Sequence, residues 1–424
     1  MRALALGLLA SVMVFSGCRN GTVEQSGQSP VLPNDFQTTF LEGNTQFAFR
    51  FFQKLAENAE PDQNLVCSPL GVQLLFSLML NGAEGQVYDE IAETLGYGKG
   101  AAMEAINRHC EALQKILIAN DKQLRLHIAN SIWYDTRFGD LHPDFAQATA
   151  QFYKAEAYEV NFRDAVGTAQ RINEWIRQHT FGMIEKLVEP SDFRGPNPVT
   201  FAGVNGLYFK GLFERAFERS KVASTFHTET GQKVPFYPMV QRFEAVPYWK
   251  GEGVEIVALP YQGGAVRLYL LLPEVGRSVR ALVADLEAGR WGQWLSQLRP
   301  TALRVELPRF TIENRHDLEG VLQALGIRAA FDPKKGFTKV YDDEKGFTKV
   351  YDDDDRDWIR IVRQGAKIVV DEEGTEAGAA TVVILERSTL VEPVFRADRP
   401  FVYVLRHEPS GTILFMGIVR QPEG

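Results

Sequence analysis

The stretch that most constrains the fold of this chain is residues 372–390, close to the C-terminus. It begins Glu-Glu-Gly-Thr-Glu-Ala-Gly-Ala-Ala-Thr and lies between two segments predicted as strands, Arg360–Asp371 and Pro400–Leu405. One set of alternate positions carries only small or apolar residues, namely Thr375, Ala377, Ala379, Thr381, Val383 and Leu385. The intervening positions include Glu376 and Glu386. Because a strand places alternate side chains on opposite faces, this parity predicts a strand whose small residues face a core.

The composition of this stretch also limits how such a strand can form. Alanine and glycine have low β-propensity and offer little surface to pack, so the stretch is poorly suited to nucleating a sheet. Large inward side chains would block entry between two existing strands, whereas Thr, Ala and Gly would not. We therefore predict that the stretch enters a gap in a sheet that has already formed.

The same residues carry a family resemblance. Ten consecutive residues resemble the hinge of the serpins, protease inhibitors whose reactive loop inserts into their own main sheet: Glu372, Glu373, Gly374, Thr375, Glu376, Ala377, Gly378, Ala379, Ala380 and Thr381. Gly378 stands where the family frequently has Ala. A second motif, Phe-Arg-Ala-Asp-Arg-Pro-Phe-Val-Tyr-Val-Leu at 395–405, is similar to the serpin C-terminal pattern. Since both motifs have the expected order and spacing, the chain is identified as a member of the serpin family.

The resemblance implies an α+β fold with a large central mixed β-sheet, further sheets, a helical cluster and an exposed reactive-centre loop at about 372–396. It also implies a single serpin domain over residues 36–424. The composition agrees, because no Pro/Gly/Ser-rich linker divides the interior of the chain. Predicted helices are concentrated in the first half and predicted strands in the second, which is an α+β pattern.

Periodicity predicts the individual elements. Apolar residues at helical spacing predict helices at Asn44–Glu57, Leu70–Leu80, Gln86–Leu95, Pro143–Phe152, Ala169–Gly182, Val279–Gln297 and Leu318–Leu325. Alternating or continuous apolar runs predict strands at Asn64–Pro69, Leu124–Tyr134, Ala157–Phe162, Thr200–Gly211, Phe236–Tyr248, Val254–Tyr261, Val266–Pro273 and Leu303–Ile312.

The N-terminus has the layout of an export signal. Residues 1–17 contain Met-Arg, an apolar run too short to span a bilayer, and Ser-Gly immediately before Cys18. This arrangement resembles the bacterial lipoprotein signal and predicts that Cys18 is lipidated, with residues 18–35 as a flexible tether whose reach is roughly 20–25 Å. We expect an exported, membrane-anchored protein in the periplasm or on the cell surface. If Cys18 is instead incidental to an ordinary secretory signal, the protein is secreted.

Composition excludes several classes of function. The chain has 424 residues, 45% hydrophobic content and a net charge of −8, with both signs spread along it and no basic patch, so nucleic-acid binding is disfavoured. Beyond Cys18 the cysteines are Cys67 and Cys110, which form neither a disulfide framework nor a metal-ligand spacing. We expect no cofactor, no membrane contact other than a lipid anchor, and a monomer.

An enzyme is also disfavoured. The chain has neither the Gly-x-Ser-x-Gly nor the His-Glu-x-x-His motif, and its histidines are scattered. Ser68 precedes Pro69 at the start of a predicted helix, where capping is the expected role for a serine. The glycines at 96, 98 and 100 predict a loop, because no strand leads into them as a phosphate-binding loop requires.

One segment is duplicated in tandem. Residues 335–343, Lys-Gly-Phe-Thr-Lys-Val-Tyr-Asp-Asp, recur as residues 345–353. Removing one copy restores the ordinary serpin spacing before the hinge. A duplicated surface loop, whether biological or an artefact of assembly, is the simpler interpretation, and a cation-binding acidic excursion is the alternative.

The resemblance implies a suicide-substrate inhibitor of serine proteases, or of cysteine proteases. Cleavage of the loop yields an acyl-enzyme, and the loop enters the sheet before hydrolysis is complete. Arg387–Ser388 suits a trypsin-like protease, and Ser388–Thr389 matches the most frequent family spacing and an elastase-like protease. The alternative function is a non-inhibitory serpin that acts as a carrier, a chaperone or a passive decoy.

Four residues are expected to support opening of the sheet, namely Ser68, Asn205, Gln364 and Arg309. Ser68 and Asn205 match serpin positions that form hydrogen bonds beneath it. Gln364 stands at the position of a family histidine there, and Gly71 at that of a neighbouring serine. At the top of the sheet, Arg309 and Glu372 align with a pair of opposite charges and are predicted to form an ion pair.

Overall fold

The computed structural model describes residues 39–118, 124–135, 137, 139–195, 199–332, 335–337, 340, 358–375 and 393–422. The α-helices in these residues are α1 (Thr39–Glu57), α2 (Pro69–Met79), α3 (Gly85–Thr94), α4 (Met103–Ile118), α5 (Pro143–Tyr153), α6 (Ala165–His179), α7 (Val279–Ala284), α8 (Ala288–Gln297) and α9 (Glu319–Leu325).

The strands are β1 (Leu65–Cys67), β2 (Leu124–Tyr134), β3 (Glu156–Glu159), β4 (Phe201–Leu212), β5 (Glu218–Arg219), β6 (Ser224–His227), β7 (Lys233–Phe236), β8 (Met239–Gly251), β9 (Val254–Pro260), β10 (Val266–Pro273), β11 (Arg299–Leu307), β12 (Phe310–Asp317), β13 (Ile361–Val370), β14 (Gly374–Thr375), β15 (Val394–Arg396), β16 (Phe401–His407) and β17 (Ile413–Val419). They confirm the predicted α+β class.

Two large sheets organise these strands. The main sheet has the order β12-β13-β14-β4-β2-β3, and β13 also pairs directly with β4. The second assembly has the order β1-β17-β16-β10-β9-β8-β11-β15, with β5 also paired to β8, and β6 and β7 form a separate two-stranded sheet. The main sheet is mixed, since β13 and β4 are parallel whereas β2 and β4 are antiparallel.

Helix α2 forms the layer between the two large sheets. Every residue from Pro69 to Met79 is buried, and the helix contacts β4 of the main sheet and β17 of the second assembly. Ser68 caps its N-terminus, because the Ser68 hydroxyl accepts a hydrogen bond from the Gly71 backbone N–H at 3.2 Å. Amphipathic helix α1 packs beside α2.

Helix α6 covers the opposite face of the main sheet. Its apolar side, including Ile172 and Ile176, forms a second buried cluster with Ala202 and Val204 of β4 and Ile361 of β13. Strand β4 is therefore covered on both faces, as its continuous apolar sequence predicts.

Three elements that were each predicted as one segment are divided in the structure. Leu303–Ile312, predicted as one strand, is divided at Pro308 and Arg309 between β11 and β12, which lie in different sheets. Val279–Gln297, predicted as one helical segment, is two helices. Phe236–Tyr248 is divided at Tyr237 and Pro238. Proline supplies no N–H to a ladder, which accounts for the first and third breaks.

The first copy of the tandem repeat contributes to the core. Phe337 and Val340 are buried, and the Val340 carbonyl accepts a hydrogen bond from the His142 N–H at 2.7 Å. This copy is therefore not wholly a surface loop. The second copy, 345–353, lies outside the described residues.

Candidate functional site: the hinge and the seam of the main sheet

The chain reverses direction directly after β13 in a tight turn formed by Asp371–Gly374. The Asp371 carboxylate accepts hydrogen bonds from the Glu373 N–H at 3.0 Å and the Gly374 N–H at 3.2 Å. The Asp371 N–H donates to the Gly374 carbonyl at 2.9 Å. An aspartate that binds backbone N–H groups two and three residues ahead stabilises such a turn. The turn directs the next residues back along β13.

Strand β14 enters the main sheet between β13 and β4. Thr375 lies opposite Val370 of β13 and Gly211 of β4, and it is antiparallel to both strands. Gly374 lies against β4, where a Cβ atom would overlap the Gly211 carbonyl oxygen. Only glycine permits this close approach of two backbones.

The Thr375 side chain points into the core. Its hydroxyl lies 2.6 Å from the hydroxyl of Tyr261, and both residues are buried. The Tyr261 ring packs against Phe213 and Phe209, with centroid distances of 4.8 and 5.2 Å. Burial raises the pKa of Tyr261 above its usual value, so the phenol keeps its proton and can donate this hydrogen bond.

The backbone of the turn is fixed to the segment that follows β4. The Glu373 carbonyl accepts from the Phe213 N–H at 2.7 Å, and the Glu372 carbonyl accepts from the Phe217 N–H at 2.6 Å. Arg309 and Glu372 form the predicted ion pair, with Arg309 Nε 3.2 Å from Glu372 Oε2. Arg309 is 41% exposed, so solvent screens this pair and its contribution to stability is small.

Below the hinge the two strands close on each other. Residues 361–365 of β13 pair directly with residues 202–206 of β4. We call these five pairs the seam. Between the seam and Thr375 lie residues 366–369 of β13 and 207–210 of β4, a gap of about 13 Å along the strands at 3.3 Å per residue. A strand that extends β14 must therefore cross this gap and then separate the seam.

A buried polar network crosses the seam on the side of α2. Gln364 accepts from the Ser68 N–H at 3.0 Å and donates to the Ser68 carbonyl at 2.8 Å and to Asn205 Oδ1 at 3.3 Å. Asn205 donates to Asn130 Oδ1 at 2.8 Å, and the Ser68 hydroxyl donates to the Leu414 carbonyl at 2.8 Å. The network joins β13, β4 and β2 to the start of α2. Gln364, which has no proton to lose near neutral pH, makes the cross-strand contacts.

Gly71 makes room for this network. A Cβ atom at Gly71 would overlap the carboxamide oxygen of Asn205. Glycine at this position, where the family has serine, therefore allows Asn205 to approach α2 closely. Asn130 Nδ2 is buried without a partner among the described residues, so this end of the network is under-satisfied.

The structure brings together Ser68, Asn205 and Gln364 at the seam, and Arg309 with Glu372 at the top of the sheet. Other predicted site residues lie outside the described residues, namely Glu376, Ala377, Gly378, Ala379, Ala380, Thr381, Arg387, Ser388, Thr389 and Cys18. Tyr261, Asp371 and Asn130 contact the site but were missed by the sequence analysis. Of these three residues, only Asp371 is predictable from its neighbours in the sequence, because an aspartate before Glu-Glu-Gly is typical of a turn.

The part of the chain that the structure describes offers neither a metal-binding cluster nor a helix suited to cross a membrane. No group of three His, Cys, Asp or Glu side chains there has the geometry to hold a metal ion. None of the helices there is both long and apolar enough to cross a membrane. Cys67 and Cys110 are free thiols and are buried.

These features define a class of protein, one whose main sheet holds the start of a C-terminal loop as a short strand above a closed seam. The family model "Serpin (serine protease inhibitor)" matches residues 42–422. The chain therefore belongs to the serpin family, and the predicted serpin fold is confirmed. The family consists mostly of protease inhibitors, and its members are not enzymes in the catalytic sense, in agreement with the predicted lack of catalysis.

Individual relatives agree with this assignment. Glia-derived nexin of Mus musculus is 30% identical over 375 residues, which cover 86% of this chain and 89% of the relative. The solved structure of Tengpin, a thermophilic serpin in the native state, has a TM-score of 0.80 and 24% identity, covering 93% of this chain and 97% of that one. Thyroxine-binding globulin in complex with thyroxine has a TM-score of 0.79 and 22% identity, covering 91% and 99%. The two structural likenesses show the fold alone.

Proposed function

We propose that this serpin is a suicide-substrate inhibitor of serine proteases, with trypsin-like enzymes favoured and cysteine proteases as further targets. The observation that carries the proposal is the position of β14, since Gly374 and Thr375 lie between β13 and β4. In the proposed mechanism a protease attacks the reactive loop and forms an acyl-enzyme, and the severed loop then extends β14 down the sheet. From Gly374 to Arg387 the inserted strand spans roughly 45 Å, and the bound protease is carried that distance.

The register of β14 supports insertion of the small residues. Thr375 pairs with Val370 and Gly211, and every two-residue step along the loop moves two residues back along both neighbours. In this register Ala377 and Ala379 face the core, and Thr381 stands between Gln364 and Asn205. A threonine hydroxyl can hydrogen-bond with the carboxamides that part when the seam opens.

Insertion lowers the free energy of the cleaved chain. Each new ladder hydrogen bond contributes a net ~1 kcal/mol, so a dozen bonds and the burial of inward side chains give on the order of 10–20 kcal/mol. The intact molecule would then be metastable, because its uncut loop cannot enter the main sheet as an additional strand. A nicked chain should therefore melt at a higher temperature than the intact chain.

The decisive experiment is incubation with trypsin followed by denaturing gel electrophoresis. We expect a covalent band at the summed mass of the two proteins less the C-terminal peptide that cleavage releases. Thr375→Arg should convert the inhibitor into a substrate, because a guanidinium cannot be buried beside Tyr261 without a partner. Glu376→Gln is the matched control, since residue 376 has the outward parity, and it should retain the covalent band. A wild-type chain that is only nicked would refute the proposal.

The bond that trypsin cleaves is proposed to be Arg387–Ser388, with Ser388–Thr389 as the alternative. An arginine fits the acidic primary pocket of trypsin-like proteases. Mass spectrometry of the loop fragment released from the denatured complex identifies the bond. If Arg387→Ala inhibits trypsin as fast as the wild type, Arg387 is not the residue that the protease recognises.

A carrier is the second candidate function, because a cleft of about 460 Å³ lies beside α8 and β10. Its lining includes Arg267, Arg406 and Glu408. Glu408 lies 3.3 Å from the Arg267 guanidinium and 2.9 Å from that of Arg406, so one carboxylate is shared by two guanidinium groups. The lining therefore keeps one unbalanced positive charge, which suits an anionic ligand. Calorimetric titration with thyroxine tests this candidate, which a lack of heat would exclude for that ligand.

We further propose that Cys18 carries the lipid of an exported lipoprotein. The proposal rests on the residues before Cys18, which resemble a lipoprotein signal. The mature N-terminal peptide should begin at Cys18 and show the mass of a lipid-modified residue. Cys18→Ser should move the protein from the membrane fraction to the soluble fraction. A mature chain that begins elsewhere would contradict this proposal.

A further inference from the structure

The seam is covered on the face opposite to α2. Because Asn205 and Gln364 point toward Ser68, their neighbours Gly206 and Gly365 point to the other face of the sheet. These two glycines lie opposite each other across the seam. A Cβ atom at Gly206 would meet the side chains of Ile176 and Thr180, which therefore lie directly over β4.

The segment that follows α6 crosses from β4 to β13. A Cβ atom at Gly365 would lie 2.9 Å from Ile184 Cδ1 and 3.3 Å from Leu187 Cδ1. Since Thr180 lies over β4 whereas Ile184 and Leu187 lie over β13, residues 180–193 span the seam. We call this segment the strap. A strand entering the seam must pass beneath it.

The first part of the strap is fastened to α6. Asn173 Oδ1 accepts hydrogen bonds from the Leu187 N–H at 2.7 Å and the Val188 N–H at 3.0 Å. Asn173 Nδ2 donates to the Val188 carbonyl at 2.9 Å. Three hydrogen bonds to one carboxamide hold this part of the strap on its own helix. They leave it free to move together with α6.

The last turn of the strap is fastened to the sheet. Asp192 lies in the 3₁₀ turn Pro190–Phe193, and its Oδ1 atom is 3.1 Å from Arg363 Nη2 on β13. Both side chains are largely buried, with exposures of 20% and 16%. Arg363 also reaches Asp317 of β12, with Arg363 Nη1 2.7 Å from Asp317 Oδ2, and this second carboxylate is 63% exposed. Arg363 thus joins the strap to β13 and, separately, β13 to β12.

We propose that Asp192 and Arg363 are positioning residues that latch the strap to β13 and limit the rate at which the loop passes the seam. The inference rests on the proposed function. Opening the seam to admit a strand moves β13 away from β4 by about one strand spacing, roughly 4.8 Å. Asn173 fastens the strap to α6, which packs on β4, so a 3.1 Å contact between Asp192 and Arg363 cannot survive this movement. The ion pair must break before the strand advances.

The test compares two neutralising variants. Asp192→Asn removes the charge that contacts Arg363 but retains an oxygen that can accept the 2.8 Å hydrogen bond from the Glu189 N–H, so the 3₁₀ turn is preserved. Asp317→Asn is the matched control. Asp317 is the second carboxylate that contacts Arg363, and it lies on β12 and not on the strap. We expect Asp192→Asn to raise the limiting rate of trypsin inactivation at saturating inhibitor roughly threefold to tenfold. The second-order rate constant, set by attack on the loop, should not change.

Hydrogen exchange provides a readout that does not depend on inhibition. Before any protease is added, Asp192→Asn should increase exchange in residues 187–193 and in the seam residues 361–365, and Asp317→Asn should not. Equal limiting rates of trypsin inactivation, or equal hydrogen exchange, in the two variants would refute the proposed latch. Absence of a covalent complex in the wild type would instead overturn the proposed function, so the two failures are distinguishable.

Discussion

Replacing Tyr261 by Phe should weaken the hold of the main sheet on the hinge. The Tyr261 and Thr375 hydroxyls lie 2.6 Å apart in a site from which water is excluded. Tyr261→Phe removes one hydroxyl and leaves the other buried without a partner. Thr375→Val does the reverse at nearly the same volume. Each single variant thus keeps the packing and removes one hydrogen bond.

The magnitude follows from the cost of a buried, unpaired hydroxyl. Leaving one partner unsatisfied costs about 1–3 kcal/mol, whereas replacing both partners by apolar groups of similar shape is nearly neutral. At 1–2 kcal/mol, the population of molecules with a released hinge rises roughly 5- to 30-fold in either single variant. In the double variant it should return close to the wild-type level. The coupling between Tyr261 and Thr375 is then favourable and of similar size.

Two backbone amides report hinge release directly. The N–H groups of Phe213 and Phe217 donate to the Glu373 and Glu372 carbonyls, so both lose protection when the hinge leaves the sheet. Their exchange, resolved by mass spectrometry, should accelerate 5- to 30-fold in each single variant. The His407 amide, bonded at 2.9 Å to the Thr412 carbonyl in the second assembly, is the internal control and should not change.

Two outcomes would refute this reasoning. Unchanged exchange at Phe213 and Phe217 in Tyr261→Phe would mean that the hydroxyl pair does not retain the hinge. Effects that add in the double variant, instead of cancelling, would mean that the variants act through packing and not through a shared hydrogen bond.

Four other changes test the packing and the pH dependence of the same molecule. Gly71→Ala should destabilise the protein by about 1–3 kcal/mol, because the new methyl group overlaps Asn205, and an unchanged denaturation midpoint would contradict this. Phe337→Ala should cost about 3–5 kcal/mol. Deletion of residues 335–344 should change the melting temperature and inhibition little, since the second copy supplies the same sequence; a loss as large as that of Phe337→Ala would contradict it. Burial and a neighbouring guanidinium lower the pKa of His407 to about 4, below its unfolded value, so its contribution to stability is present above about pH 6.5 and is lost as the pH falls toward 4. Denaturation midpoints between pH 7 and pH 4 should fall less steeply in His407→Gln.

The elements that could be predicted from the sequence are those whose pattern directly reflects burial. The predicted bounds of Leu124–Tyr134 and Val266–Pro273 match the observed strands at both ends. Leu124–Tyr134 begins with alternating apolar and polar residues, Val266–Pro273 is mostly apolar, and neither contains an internal proline. Leu303–Ile312 failed because both halves are apolar strands, and periodicity cannot show that consecutive strands belong to different sheets. The proline within that run was the available signal.

The site was predictable only where it repeats a family motif. Ser68, Asn205 and Gln364 were selected by their place in such motifs, and the structure joins them by hydrogen bonds. Tyr261 could not be selected, since its partner Thr375 is 114 positions away and no local pattern relates the two. Contacts of this kind depend on how the sheets pack, which is determined only when the whole chain folds.

The composition of the seam suits a sheet that is closed in the intact chain and that, in the proposed mechanism, opens after cleavage. Gly206 and Gly365 contribute backbone pairing without side-chain packing, and their neighbours are joined across the strands by a 3.3 Å amide hydrogen bond from Gln364 to Asn205. Apolar side chains in place of Asn205 and Gln364 would pack across the closed seam, but those contacts would then be lost outright on opening. The backbone hydrogen bonds of the seam can be replaced by backbone hydrogen bonds to an incoming strand. The side-chain hydrogen bond between the two amides can be replaced by one to the hydroxyl of an incoming threonine. On the latch proposal, the barrier to insertion lies less in the seam than in the strap that covers it.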